Sequence, residues 1–226
     1  MQRVFYGWWI VLAGSLAISV FGGLFTTGFG FFFEPIRQYF GWSRTMLSGA
    51  YALSRVESVF LVPFVGYLIQ RFGSRNVMSA AFVVFGIGFF FLSRANSITT
   101  FYLAFIIMAT GADPPGFIAI IATINNWFRA NRAKAIGFAM LGMGFGGIIF
   151  PPILAFGFDN FSWRTVSVAS GIFVLAVGVA ISRAFRDAPE PYGYLPDGER
   201  PNTIRRPTPA SHKETSQRTR HIGLPT

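Results

Sequence analysis

Residues 66–78 read GYLIQRFGSRNVM. Apolar runs flank this stretch on both sides, Thr45–Ile69 before it and Val77–Leu92 after it. The polar residues Gln70, Arg71, Ser74, Arg75 and Asn76 therefore mark a turn between two apolar elements. Gly73 supplies a residue free to adopt positive φ, as a tight turn needs. Crossing about 30 Å of hydrocarbon takes about 20 mostly apolar residues in a helix. The stretch thus predicts two antiparallel membrane helices joined by a short basic turn, the second helix extending into one flank.

The same pattern repeats outward in both directions. Six spans are expected at Trp8–Phe33, Thr45–Ile69, Val77–Leu92, Phe101–Trp127, Ala135–Phe156 and Thr165–Phe185. The separators EPIRQYFGWSR, QRFGSRN, SRANS, FRANRAK and GFDNFSWR are short and carry helix breakers. The opening MQRVFYGWWIV leads into a run longer than the 7–15-residue core of a signal peptide and lacks a clear cleavage site. It reads as an uncleaved first span with Tyr6, Trp8 and Trp9 at the interface.

Composition agrees with a chain solvated by lipid. Of 226 residues 52% are hydrophobic and only 12% charged, against about 25% charged in soluble domains. There is no Cys, which excludes disulfides, thiolate metal sites and cysteine nucleophiles, and both His (His212, His221) fall near the C-terminus. The net charge of +10 comes from basic residues in loops, so it is a topology signal and not a nucleic-acid footprint. Arg3, Arg71, Arg75, Arg129, Arg132, Lys134, Arg183 and Arg186 collect on one side, and Arg37, Arg44, Arg94 and Arg164 on the other. The positive-inside rule then puts both termini in the cytoplasm. Residues 1–185 form the expected transmembrane domain. Residues 186–226, rich in Pro, charge and small polar side chains, cannot bury an apolar face and are expected to form a disordered cytoplasmic tail or truncated linker.

The loop at 66–75 resembles the signature G-x-L-x-D-R-x-G-R-R of the major facilitator superfamily of transporters. Gly66, Leu68, Arg71, Gly73 and Arg75 match, while Gln70 stands in place of the Asp and Ser74 in place of a basic residue. In that family the loop latches one six-helix half against the other through charge pairs, and Gln70 leaves Arg71 without its nearest acidic partner. YGWWIVLAGSL, FEPIRQYFGWSRTMLSGAYALS, NNWFRANRAKAIGFAMLGMGFGGIIFPPI, SWRTVSVASGI and PEPYGYLPDG are similar to bacterial members of its monocarboxylate-porter and oxalate/formate-antiporter branch.

The resemblance implies an all-α membrane protein, a six-helix half built of two inverted three-helix repeats. It also implies transport of a small organic anion across a bacterial inner membrane. Family members have twelve spans, with substrate held between the halves near the midplane. A second half-transporter chain or self-association is the partner this implies, beside the lipid bilayer and the anionic substrate. No cofactor or metal is expected.

Few ionisable residues fall inside the spans, and those near mid-depth are functional-site candidates because a charge at the bilayer centre is costly. Arg55 and Glu57 lie in the second span and Asp113 in the fourth. Arg55 and Glu57 are two apart and so point nearly opposite ways on a helix. Arg55 and Asp113 differ by only about 3 Å in depth at about 1.5 Å per residue. They are expected to compensate each other, directly or through a bound anion, either as part of a substrate site or as a structural ion pair. Glu57 reads as a proton-coupling carboxylate or as a packing contact.

Asp113 opens the run Asp113-Pro114-Pro115. Both prolines lack an N–H and disfavour helix in the residue before them, which predicts a break at 112–114. Asp113 would then be the N-cap of a new helix, its carboxylate on the Gly116 N–H, with Pro114 at the first helical position. Broken helices at the midplane tend to line substrate or ion sites. In the fifth span Gly142 and Gly146 form G-x-x-x-G, a helix-packing pattern; the apolar run around them has no strand before it and is not a nucleotide-binding loop. The spans lack the His, Cys and clustered carboxylates of a membrane enzyme. A secondary transporter half remains, with an inactive remnant or an accessory membrane protein of the same half-fold as the alternative.

Overall fold

The computed structural model describes residues 5–189, 192 and 197. Eight α-helices run α1 Gly7–Phe21, α2 Phe29–Phe40, α3 Arg44–Phe72, α4 Ser74–Ser93, α5 Ile98–Ala112, α6 Pro114–Trp127, α7 Arg132–Asn160 and α8 Trp163–Ala184. A π-helical segment, Gly22–Thr27, joins α1 to α2. Among the described residues six helical runs are long and apolar enough to cross a membrane: Gly7–Phe40, Arg44–Phe72, Ser74–Ser93, Ile98–Trp127, Arg132–Asn160 and Trp163–Ala184. The chain is therefore an all-α membrane protein with six spans. The first and last described turns meet at one end of the bundle, where the Tyr6 hydroxyl donates to the Ala184 carbonyl at 3.1 Å.

The first, second, third and fifth spans run past their expected ends. The first continues through EPIRQYF because the Glu34 side chain accepts from Arg37 and Gln38 one turn on, and Gly41 at φ 70° closes it with an N–H to the Arg37 carbonyl. The fifth continues through Gly157-Phe158-Asp159-Asn160, and Ser162 then caps α8 by accepting from Thr165 N–H.

Packing follows the small residues. α1 lies against α7, and α4 against both α8 and α5. A Cβ at Gly142 would strike the Ser15 carbonyl, and one at Gly146 the Ser19 carbonyl. G-x-x-x-G therefore does bring two backbones into contact, as small-residue patterns do in membranes. Phe25, Phe29, Phe32, Phe85, Phe89, Phe101 and Phe105 fill the centre of the bundle as a buried ring-on-ring cluster. In contrast α3 leaves Val59, Phe60 and Phe64 exposed, and α7 leaves Phe145 and Ile148 exposed.

Candidate functional site

α3 starts where the Ser43 side chain accepts from Met46 N–H. Its bundle-facing stripe is Leu47, Ala50, Ser54 and Val65. Arg55 and Glu57 flank that stripe on opposite sides, about 200° apart at 3.6 residues per turn. Both reach the fourth span, one turn apart, so the two side chains clasp it. Arg55 Nη1 donates to Asp113 Oδ2 at 2.5 Å, and Arg55 Nη2 donates to the Tyr51 hydroxyl. The guanidinium also lies over the Tyr51 ring, 4.7 Å from its centroid. On the other flank the Thr110 hydroxyl donates to Glu57 Oε1, while Glu57 Oε2 is buried without a hydrogen-bond partner among the described residues.

The fourth span breaks where Asp113-Pro114-Pro115 predicts. α5 ends at Ala112, Asp113 takes φ −86° and ψ −96°, and α6 begins with the two prolines at its first positions. One expectation fails here. Asp113 does occupy the N-cap position of α6, but its carboxylate makes no capping hydrogen bond; it goes to Arg55 instead. A guanidinium is a charged donor and the stronger partner, and Pro114 and Pro115 have no N–H to offer in the first turn.

The break faces a second irregularity. A crevice of about 40 Å³ lies between Asp113, Phe117 and Met143 and the residues Gly22, Phe25 and Thr26 of the π-helical segment. That is room for a water molecule or two. Thr27 sustains the π-helical turn by donating to the Gly22 and Gly23 carbonyls at 3.0 and 3.3 Å. Sequence reasoning missed this segment, although the cluster of Gly22, Gly23, Gly28, Thr26 and Thr27 was its signal. Thr110, which precedes Asp113 by one turn, was also missed.

Arg55 and Asp113 are not sealed: their side chains are 45% and 32% exposed, so the pair has an open side. A guanidinium has five N–H donors. Asp113 and Tyr51 take two, which leaves three for an acceptor arriving from that side. The planar fork matches a carboxylate in two parallel hydrogen bonds. The arrangement can hold a small organic anion next to a carboxylate already poised on the same cation.

The signature loop is built differently from the other half-turns. Gly73, at φ +81°, makes the turn. Leu68 packs on the core, while Gln70 is exposed. Arg71 donates to the Tyr67 hydroxyl at 3.0 Å, and no ion pair includes it among the described residues. At Gly66 a Cβ would meet nothing within 4 Å among the described residues.

The acidic group at the loop comes from beyond α8. Asp187 Oδ1 accepts from Arg75 N–H at 2.6 Å, capping α4, whose own cap residue Gly73 has no side chain. Asp197 likewise accepts from both the backbone and the side chain of Asn131 at 2.8 and 2.9 Å, where α7 begins. The expectation of a disordered tail from 186 falls mostly outside the described residues. Of those described there, Arg186, Asp187, Tyr192 and Asp197 make defined contacts.

Comparison with known proteins fits this geometry. The model of the Major Facilitator Superfamily matches residues 8–221. Monocarboxylate transporter 11 of Mus musculus is 25% identical over 75% of this chain and 38% of its own length. Monocarboxylate transporter 13 of Rattus norvegicus is 24% identical over 70% of this chain and 37% of its own. Monocarboxylate transporter 12 of Xenopus laevis is 24% identical over 74% and 37%. The chain thus spans well under half the length of these relatives. It belongs to the major facilitator superfamily.

Proposed function

We propose that this member of the superfamily is one six-helix half of a secondary transporter for small monocarboxylates, with Arg55 the cation that receives the substrate carboxylate. The observation that carries the reading is the state of Arg55: fixed by Tyr51 and Asp113, yet nearly half exposed with donors to spare. Fixing a side chain in advance lowers the ordering cost of binding. Asp113 keeps the empty site neutral, and the substrate shares or takes over its place on the guanidinium. Transport then follows by alternating access, as a second six-helix half rocks over the bare side of α3 and α7. The half is an inner-membrane unit with both termini in the cytoplasm.

The test is chemical modification of the purified chain with an arylglyoxal, mapped residue by residue. Millimolar lactate-sized monocarboxylates are expected to slow modification at Arg55 several-fold and to leave Arg71 unchanged. No protection at Arg55 would support an accessory protein or remnant of the same half-fold. Glu57 carries a second reading, because its buried Oε2 has no partner among the described residues and can hold a proton. An unchanged pH dependence of transport in Glu57→Gln would reduce it to a packing contact with Thr110.

A further inference from the structure

The end of the bundle opposite Tyr6 and Ala184 carries two adjoining cavities that the Arg55 site does not use. An apolar groove of about 440 Å³ runs between α7 and α8, from Phe161 and Thr165 past Gly157 and Ala169 to Phe150 and Phe173. From Phe161 to Phe150 the descent is about 16 Å at about 1.5 Å per residue. That is roughly half of about 30 Å of hydrocarbon, the depth of one leaflet. Thr165 also borders a basic cleft of about 490 Å³ that holds Arg94 and Arg164.

The cleft is positive and uncompensated. Arg164 is anchored by neutral groups only, the Tyr39 hydroxyl, the Ala95 carbonyl and the Asn96 amide oxygen at 3.1, 3.2 and 2.8 Å, and it stacks on Tyr39 and Trp163. Among the described residues neither Arg94 nor Arg164 is in an ion pair; Glu34, at this same end, serves Arg37 and Arg44 instead. Asp159, near the groove mouth in sequence, lines neither cavity. Tyr39, Phe40, Trp42 and Trp163 pack together at this level. Tyr and Trp mark the headgroup depth of a membrane, so the two arginines sit where phosphates lie.

We infer that groove and cleft together bind one anionic phospholipid, with an acyl chain along the α7–α8 groove and the phosphate between Arg94 and Arg164. The apolar channel opens beside the basic cleft at Thr165, which matches the join between a lipid tail and its headgroup. A free anion would use the cleft alone, and a second protein half would leave two cations at its rim unanswered.

The experiment is native mass spectrometry of the purified full chain, exchanged into detergent with defined phosphatidylglycerol or phosphatidylcholine. Basic residues near a surface contribute about 1 kcal/mol each toward anionic lipid. Two of them predict retention of phosphatidylglycerol on the order of tenfold above phosphatidylcholine. Arg94→Gln with Arg164→Gln is expected to abolish that preference without lowering phosphatidylcholine retention. Arg94→Gln alone should reduce it several-fold and does not disturb the fold, since Arg94 is exposed. Ala169→Trp fills the groove and should lower retention of both lipids. Equal retention of the two lipids, or a preference that survives the double substitution, would overturn the inference. So would glycerol 3-phosphate binding as well as the lipid does and ignoring Ala169→Trp.

Discussion

The first and second spans use the same kind of apolar helix in opposite ways. In its most apolar window the first is 72% buried and the second only 11%. The first is packed by α7 through Gly142 and Gly146 and holds no charge in α1. The second carries Arg55 and Glu57 and leaves Val59 and Phe60 bare. A helix that bears a guanidinium at mid-depth is a poor candidate for a lipid-facing surface. On the proposed function, the difference separates a scaffold, α1 with α4, α8 and the Gly142–Gly146 face of α7, from a working face, the exposed sides of α3 and α7.

That contrast is open to breakage. The largest effect is expected at the scaffold. Gly146→Leu should prevent α1 from seating on α7 and destabilise the fold by at least about 3 kcal/mol, the upper range of overpacking costs; thermal unfolding in detergent reads it. Gly144→Leu on the same helix should be tolerated, because a Cβ there meets nothing within 4 Å. If the two variants melt alike, the division between scaffold and working face is wrong.

Next comes Asp113→Ala. Stranding the partner of a fully buried ion pair costs about 3–5 kcal/mol. Arg55 and Asp113 are partly exposed, so a loss nearer about 1–2 kcal/mol is expected after screening. A smaller effect belongs to the turn at the base of the working face. Asp187→Ala removes the cap of α4 and should cost about 1 kcal/mol, with hydrogen exchange rising in the first turn of α4 and not in α8. The smallest is at Val59→Ala, expected within about 0.5 kcal/mol. Placed as the only thiol in a chain without cysteine, Val59→Cys should react with a maleimide in the isolated chain and be shielded once a second half is bound.

Much of this architecture is legible in the sequence because it is local. Apolar runs and basic turns locate six spans, Asp113-Pro114-Pro115 locates the break, and Gly142 with Gly146 locates the tight contact. What the sequence hides is set by partners far away along the chain. Asp187 meets Arg75 across 112 positions, so neither the start of α4 at Ser74 nor the origin of the loop's carboxylate shows in the stretch 66–78. Asp113 reads as a helix cap in its own neighbourhood; only Arg55, 58 positions away, reveals where its charge goes.

The central claim is that Arg55 holds the substrate and Asp113 holds Arg55 ready for it. Counterflow uptake of a radiolabelled lactate-sized monocarboxylate tests this most directly, in proteoliposomes containing the chain with a second six-helix half. Arg55→Gln and Asp113→Asn should each lower uptake at least about tenfold, a loss of about 1.4 kcal/mol or more, and the double variant should be no better than Arg55→Gln. Recovery of the double variant to near the unsubstituted rate would show that the two charges only neutralise each other, and would contradict the account.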